Sequence, residues 1–253
     1  MIILKSKREI EIMREAGIIL YEIMDQLKDM VKEGVSAFEL DKFAEERIVS
    51  YGAVPAFKGY RGYPYSICIS INEEVIHGFP LKEKVFKNGD LVSLDLGLMY
   101  KGYYSDMAYT VPVGEIDEDK KKLIEFGERV MYKAISIAQI GNRIGDISNT
   151  IELNSKSFGY SVVKEFIGHG IGRKLHEEPE VPNFGEKNSG PYIKEGMTFA
   201  IEPMICMGSG EVYVDKDGWT VKTKDGKPAV HFEHTIAITK SGPIILTSPE
   251  EIR

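Results

Sequence analysis

Acidic side chains interrupt three apolar, strand-like runs at positions where a packed sheet would carry aliphatic residues. They are Asp95 in Leu91-Val-Ser-Leu-Asp-Leu-Gly-Leu98, Glu202 in Met197-Thr-Phe-Ala-Ile-Glu-Pro-Met204 and Glu233 in Val230-His-Phe-Glu-His-Thr-Ile-Ala-Ile238. Asp106, in Tyr104-Ser-Asp-Met-Ala-Tyr109, is a fourth. A lone acid in such a run is often a salt-bridge partner or an edge residue. Four are harder to place, because no Lys or Arg lies within these segments. A buried carboxylate is costly unless a cation or hydrogen bonds compensate it. His169, flanked by glycines in Ile167-Gly-His-Gly-Ile-Gly172, adds an imidazole to the set. The economical expectation is a dinuclear metal centre. Carboxylate and imidazole donors suit Mn, Fe, Co or Zn, whereas oxygen-only sets favour Mg or Ca.

Around these acids the chain is an ordinary globular sequence of 253 residues, 43% hydrophobic, with a net charge of −7. No basic run suggests nucleic-acid binding. No apolar stretch approaches the ~20 residues of a membrane span, and the N-terminus lacks the apolar core of a signal peptide. Only Cys68 and Cys206 are present, without a Cys-x-x-Cys pair, which favours a reducing, cytoplasmic setting and argues against a thiolate zinc site.

The elements form an α+β pattern that restarts midway. Ser6-x-x-Glu9 and Ser36-x-x-Glu39 read as capping boxes. They open a helix with Ile10, Met13, Gly17, Leu20, Met24 and Leu27 on one stripe, and a second helix running to about Gly52. Strands are predicted at Tyr65–Ile71, Leu91–Met99 and Tyr103–Val113. Helices are predicted at Asp117–Ile140 and Gly145–Gly159. Further strands are predicted at Ser161–Phe166, Met197–Met204, Glu211–Val214, Trp219–Thr223 and Val230–Thr239. Gly34 and Gly141, Gly52 and Gly159, and Gly89 and Gly196 all differ by 107 positions, and the same offset carries Asp95 onto Glu202. We therefore expect one catalytic domain over residues 1–253, built from pseudo-symmetric halves at about 1–113 and 114–253. A curved antiparallel sheet with helices outside would place a ligand site between the halves.

A hairpin centred between Tyr100 and Lys101 would set Asp95 directly opposite Asp106 on one face, roughly 4.5–5.5 Å apart at Cβ. A hairpin centred between Asp217 and Gly218, a strong turn signal, would pair Glu202 with Glu233. Among the other histidines, His77 ends an apolar segment and His176 follows His169 by seven residues. His234 falls on the opposite sheet face from Glu233 by parity. His231 shares the face of Glu233, and its role stays open.

These segments together resemble the type I methionine aminopeptidases of peptidase family M24, over nearly the whole chain. The marks are Tyr60-Arg-Gly-Tyr-Pro-Tyr-Ser-Ile-Cys68, Ser70-Ile-Asn-Glu-Glu-Val-Ile-His-Gly78, Leu94-Asp-Leu-Gly97, Ser105-Asp-Met-Ala108, Gly168-His-Gly-Ile-Gly-Arg-Lys-Leu-His-Glu-Glu-Pro179, Ala200-Ile-Glu-Pro203, Asp217-Gly-Trp219 and Phe232-Glu-His-Thr235. The resemblance implies the pita-bread fold and a short bacterial form. It implies two divalent ions, with Asp95 on one, His169 and Glu202 on the other, and Asp106 and Glu233 bridging. His77, His176 and Glu202 would act on the substrate; Tyr60, Tyr63, Cys68 and Trp219 would surround its methionine side chain. The implied reaction removes the first methionine, with a small second residue favoured. The implied partners are methionyl peptides and nascent chains, with the ribosome a further candidate, and the implied state is a monomer. Leu175 replaces an aromatic common in the family, and Phe184 stands where a polar-tipped or indole ring is usual; both are expected to reshape the pocket mouth. Two rival readings are a Pro-directed aminopeptidase P or prolidase, which usually carries an extra N-terminal domain, and a metal-free binding protein on the same scaffold, which would have lost ligands.

Overall fold

The computed structural model describes residues 1–249. Helices α1 (Lys7–Met30) and α2 (Ala37–Ser50) lead into β1 (Val54–Pro55), β2 (Ile67–Ile71), β3 (Glu74–Ile76), β4 (Leu91–Tyr100) and β5 (Tyr103–Pro112). Helices α3 (Glu118–Ile137) and α4 (Ile144–Ser157) then precede β6 (Ser161–Val162), β7 (Gly168–Gly170), β8 (Glu177–Val181), β9 (Thr198–Ile201) and β10 (Met204–Cys206). The chain closes with β11 (Val212–Val214), β12 (Val221–Thr223), β13 (Ala229–His231), β14 (Glu233–Thr239) and β15 (Gly242–Ile245). Both predicted capping residues work: the Glu9 carboxylate accepts from the Ser6 N–H at 2.8 Å, and Glu39 from Ser36 at 2.9 Å. The predicted stripe of α1 is buried from Met13 to Leu27.

A nine-stranded sheet runs β1-β4-β5-β14-β9-β7-β8, with β2 paired to β4 and β15 to β14. Alternation along the strands decides which face does what. Val92, Leu94, Leu96 and Leu98 pack with α1 and α2, while Phe199, Ile201, Ile236 and Ile238 pack with α3 and α4. All four helices therefore cover one face of the sheet. Asp95, Asp106 and Glu233 alternate with these residues and point to the other face. Helices α2 and α4 have 14 residues each and begin 107 positions apart. Gly34, Gly52, Gly89, Gly141, Gly159 and Gly196 all adopt positive φ, which a side chain at those turns would resist.

Two sequence expectations need correction. Asp95 pairs with Ala108 and Asp106 with Gly97, so the aspartates are diagonal neighbours rather than directly opposed. The turn lies at Lys101-Gly102, with φ 51° and 80°, and Tyr100 pairs with Tyr103 across it. Both turn residues need positive φ in a two-residue hairpin loop, and that shifts the register by two. An even shift leaves both acids on the predicted face. The predicted strand Ser161–Phe166 ends at Val162, because Lys164 and Glu165 are exposed and leave the sheet.

The second hairpin keeps its predicted register through interruptions. Ile201 pairs with His234, Met204 with His231, and Val212 with Thr223, all consistent with a centre between Asp217 and Gly218. The Asp217 carboxylate accepts from the N–H groups of Trp219 (2.8 Å) and Thr220 (2.9 Å), closing that turn. The hairpin leaves the large sheet at Glu202-Pro203 and Phe232 and continues in two three-stranded sheets, β13-β10-β6 and β11-β12-β3.

Candidate active site

One cavity of about 300 Å³ gathers the residues singled out from the sequence. Asp95, Asp106, His169, Glu202 and Glu233 line it together with His77, His176, Tyr60, Tyr63, Cys68 and Trp219. The first two acids come from β4 and β5, His169 from β7, Glu202 from the end of β9 and Glu233 from the start of β14. Gly97, opposite Asp106, leaves the room it needs: a Cβ there would come within 3.2 Å of Asp106 Oδ1 and 2.8 Å of Phe57.

Asp106, His169 and Glu233 each offer a donor atom, all within 4.8 Å of one another. His169 Nε2 lies 4.0 Å from Asp106 Oδ2 and 3.5 Å from Glu202 Oε1. Asp95 joins from the diagonal position on β4 rather than from within this tight group. His169 Nδ1 is 2.9 Å from the Gly170 carbonyl, so it carries the proton and leaves the Nε2 lone pair facing the acids. The main chain of Asp106 is fixed by Thr235, whose Oγ1 accepts from the Asp106 N–H (3.0 Å) and donates to its carbonyl (2.8 Å).

The electrostatics of the cluster call for a compensating cation. Burial raises the Asp106 carboxyl to about 7. Burial, then the neighbouring carboxylates, raises Asp95, Glu202 and Glu233 well above the usual range. Burial also lowers His169 to about 3, keeping its imidazole neutral. Glu233 Oε1 is buried without a hydrogen-bond partner among the described residues. Four carboxylates and a neutral imidazole, with one carboxylate oxygen orphaned, form a donor set that fits divalent cations.

The remaining walls suit an apolar side chain. Trp219 meets Tyr63 edge-on at 5.1 Å between centroids and stands 6.2 Å from His77. The Tyr63 hydroxyl is held by the Ile67 and Gly78 carbonyls at 3.1 and 3.2 Å. Burial keeps the Cys68 thiol protonated, so it packs rather than attacks. His77 sits at φ 59°, a strained backbone for a non-glycine residue, and burial lowers it to about 4. The exposed His176 stands at the rim; its Nδ1 is 2.7 Å from the Tyr60 hydroxyl, and its ring is 4.2 Å from that of His169.

Sequence reasoning missed Phe57, Arg61, Ile76, Glu165, Phe166 and Ile167, which complete the lining. Each lies within three residues of a named motif residue, and that proximity was the available signal. Leu175 lines the cavity. Phe184 does not reach its mouth; it lines a separate cleft with Pro182 and Gly185, and its ring receives the Lys164 ammonium. His234 packs away from the acids, with its Nδ1 2.8 Å from Thr247 Oγ1.

Comparison with known proteins gives a consistent picture. Residues 11–240 match the model for metallopeptidase family M24. The chain is 51% identical over 247 residues to a methionine aminopeptidase from Clostridium perfringens, covering 98% of this chain and 99% of that one. A crystal structure of methionine aminopeptidase from Thermotoga maritima superposes with a TM-score of 0.97 at 45% identity, covering 98% of this chain and 100% of that one. A prolidase from Pyrococcus horikoshii OT3 superposes with a TM-score of 0.77 at 28% identity, covering 99% of this chain but 65% of the prolidase.

Proposed function

The chain belongs to metallopeptidase family M24 and is a methionine aminopeptidase with the pita-bread fold; from that premise we propose how its residues divide the work of removing an N-terminal methionine. The observation that carries the proposal is the convergence of four carboxylates, three histidines and an aromatic pocket on one cavity. Two divalent ions from among Co, Mn, Fe and Zn would bind there, one on His169 and Glu202, one on Asp95, with Asp106 and Glu233 shared. When bound, such ions polarise the scissile carbonyl and lower the pKa of a water to ~7.

The chain's own groups supply the rest. Tyr63, Cys68 and Trp219 enclose the flexible thioether side chain. Glu202 accepts the proton of the attacking water and passes it toward the leaving amine. The Tyr60 hydroxyl donates to His176 Nδ1, so Nε2 of the neutral ring keeps its proton and can donate to the oxyanion. His77 meets the scissile amide nitrogen. The second residue is small and uncharged, as the family resemblance implies. The substrates are newly made chains in the cytoplasm and the enzyme acts as a monomer. Its two halves, about 1–113 and 114–253, form one catalytic domain with residues 250–253 outside the described part. No helix among the described residues is long and apolar enough to cross a membrane.

The Pro-directed reading is weaker, since the chain is 28% identical to that prolidase against 51% to a methionine aminopeptidase over nearly its full length. The deciding experiment compares Met-Ala-Ser with Xaa-Pro peptides before and after chelation. Methionine release from Met-Ala-Ser should cease on chelation and return with Mn, Fe or Co. Full turnover in excess chelator, with metal content near zero, contradicts the proposal; so does preferred cleavage of Xaa-Pro.

A further inference from the structure

The register places His231 in a telling position. In the first half Asp95 pairs with Ala108 and Asp106 with Gly97. In the second, Met204 pairs with His231, and the same ladder sets Glu202 opposite Glu233. At the junction of β5 and β14, Glu233 pairs with Ala108. Asp106 and His231 therefore occupy matching places, two residues from that junction on their respective strands. Their main chains are held the same way. Thr235 clamps Asp106, and Thr110 Oγ1 accepts from the His231 N–H (2.9 Å) and donates to its carbonyl (2.9 Å). With the Thr110 proton committed, the Ser93 hydroxyl 2.8 Å away donates to Thr110.

Where the first half presents a carboxylate, the second thus presents an imidazole on a backbone pinned to both central strands of the first half. His231 is 1% exposed, and neither ring nitrogen has a hydrogen-bond partner among the described residues. A buried polar side chain left unpaired in this way is costly and calls for a role. Its Nε2 lies 3.6 Å from Glu202 Oε2, just beyond hydrogen-bond range. The other Glu202 oxygen, Oε1, faces His169 Nε2 at 3.5 Å. His231 does not line the cavity, so it reaches the chemistry only through Glu202.

We propose that His231 is a positioning residue: it donates Nε2–H to Glu202 Oε2 and so presents Oε1 alone to the reactive side of the cavity. A carboxylate with both oxygens free can rotate or chelate through both. One held by a charge-assisted hydrogen bond keeps a single orientation. The inference rests on the reading of Glu202 as ligand and proton acceptor.

The test compares His231→Gln with His231→Met in the full chain. Gln keeps an N–H donor at similar reach, and Met keeps the length without the donor. Two measurements are made on each: calorimetric Mn²⁺ titration of the metal-stripped protein, and kcat and KM on Met-Ala-Ser. His231→Met should lose roughly 10–100-fold in kcat or Mn²⁺ affinity while KM and His231→Gln stay within about threefold of the unmodified chain. A His231→Met variant matching the unmodified chain in both readouts overturns the proposal, as does a His231→Gln variant impaired as much as His231→Met. If His231→Met lacks a cooperative thermal transition, His231→Gln decides alone: within about threefold supports the role, and any larger loss overturns it. The unmodified chain is a separate control. Failure of that chain to release methionine refutes the peptidase reading itself, not the His231 assignment.

Discussion

At the scale of single residues, the histidines separate by what their nitrogens meet. His169 turns a free Nε2 toward Asp106 and Glu202 because its Nδ1–H donates to the Gly170 carbonyl. His176 spends Nδ1 on Tyr60, and His77 stands among Trp219 and Phe166. Replacing His169 with Ala should therefore weaken metal binding, measured by calorimetric titration. Replacing His77 or His176 should leave metal content unchanged and lower kcat by roughly 10²–10⁴-fold, the range for a positioned acid-base or oxyanion group. Loss of a metal from His176→Ala with full retention in His169→Ala would mean the assignments are reversed. Much of this was legible in the sequence, because strand parity depends only on whether positions are odd or even. Parity puts Asp95 and Asp106 on the correct face even though the turn shifts their register by two. What parity cannot give is the sideways approach of separate segments. Parity sets His231 and Glu202 on one face, but their 3.6 Å approach forms where the ladder is interrupted at Pro203 and Phe232, and its geometry is visible only in three dimensions.

At the scale of elements, close packing of helix on sheet sets the frame. Gly17 of α1 falls on the buried stripe read from the sequence, yet its reason is visible only in three dimensions. A Cβ at this position would overlap the Leu246 carbonyl and lie 3.1 Å from the Thr247 nitrogen. Both are main-chain atoms, so no rotamer change relieves the crowding. Thr247 in turn holds His234 and the N–H of Thr235, the residue that clamps Asp106. Gly17→Ala is expected to destabilise by about 1–3 kcal/mol despite the better helix propensity of Ala. Urea unfolding followed by circular dichroism measures this; equal or greater stability would show that α1 shifts without cost. The long elements were legible because their hydrophobic periods and caps are local. Strands β7 and β8, at three and five residues, were not, since Gly168-His-Gly170 has no apolar alternation and is held by pairing with β9 and β8.

At the scale of the whole molecule, the fold concentrates acidic groups that it cannot leave charged unless cations join them. Without metal, burial brings Asp106 to about 7 and raises Asp95, Glu202 and Glu233 well above their ordinary range. In the unfolded chain these groups titrate at ~4. Above that value the folded chain binds more protons than the unfolded one, so stability falls as pH rises. The buried histidines act in the opposite sense. His77 is lowered to about 4 and His169, His231 and His234 to about 3, mainly by burial, so their contribution is lost as pH falls below the unfolded value of ~6.5. The two effects oppose each other in acid and through the unfolded histidine pKa of ~6.5, but above about pH 7.5 the imidazoles are nearly neutral in both states while the carboxylates still differ. The metal-free chain should therefore lose thermal stability as pH rises above about 7.5. Mn²⁺ at about 100 times its Kd should add about 2.7 kcal/mol, a rise of roughly 5–10 °C for a chain of this size. It should also flatten the pH slope, because bound ions replace the protons the site would otherwise hold. The net charge of −7 also disfavours folding as pH rises, so Glu233→Gln separates the two causes. Removing that one carboxyl should make the metal-free slope shallower if the site is responsible. Scanning calorimetry of both proteins at several pH values gives the answer, and an unchanged slope in Glu233→Gln would assign the effect to surface charge instead.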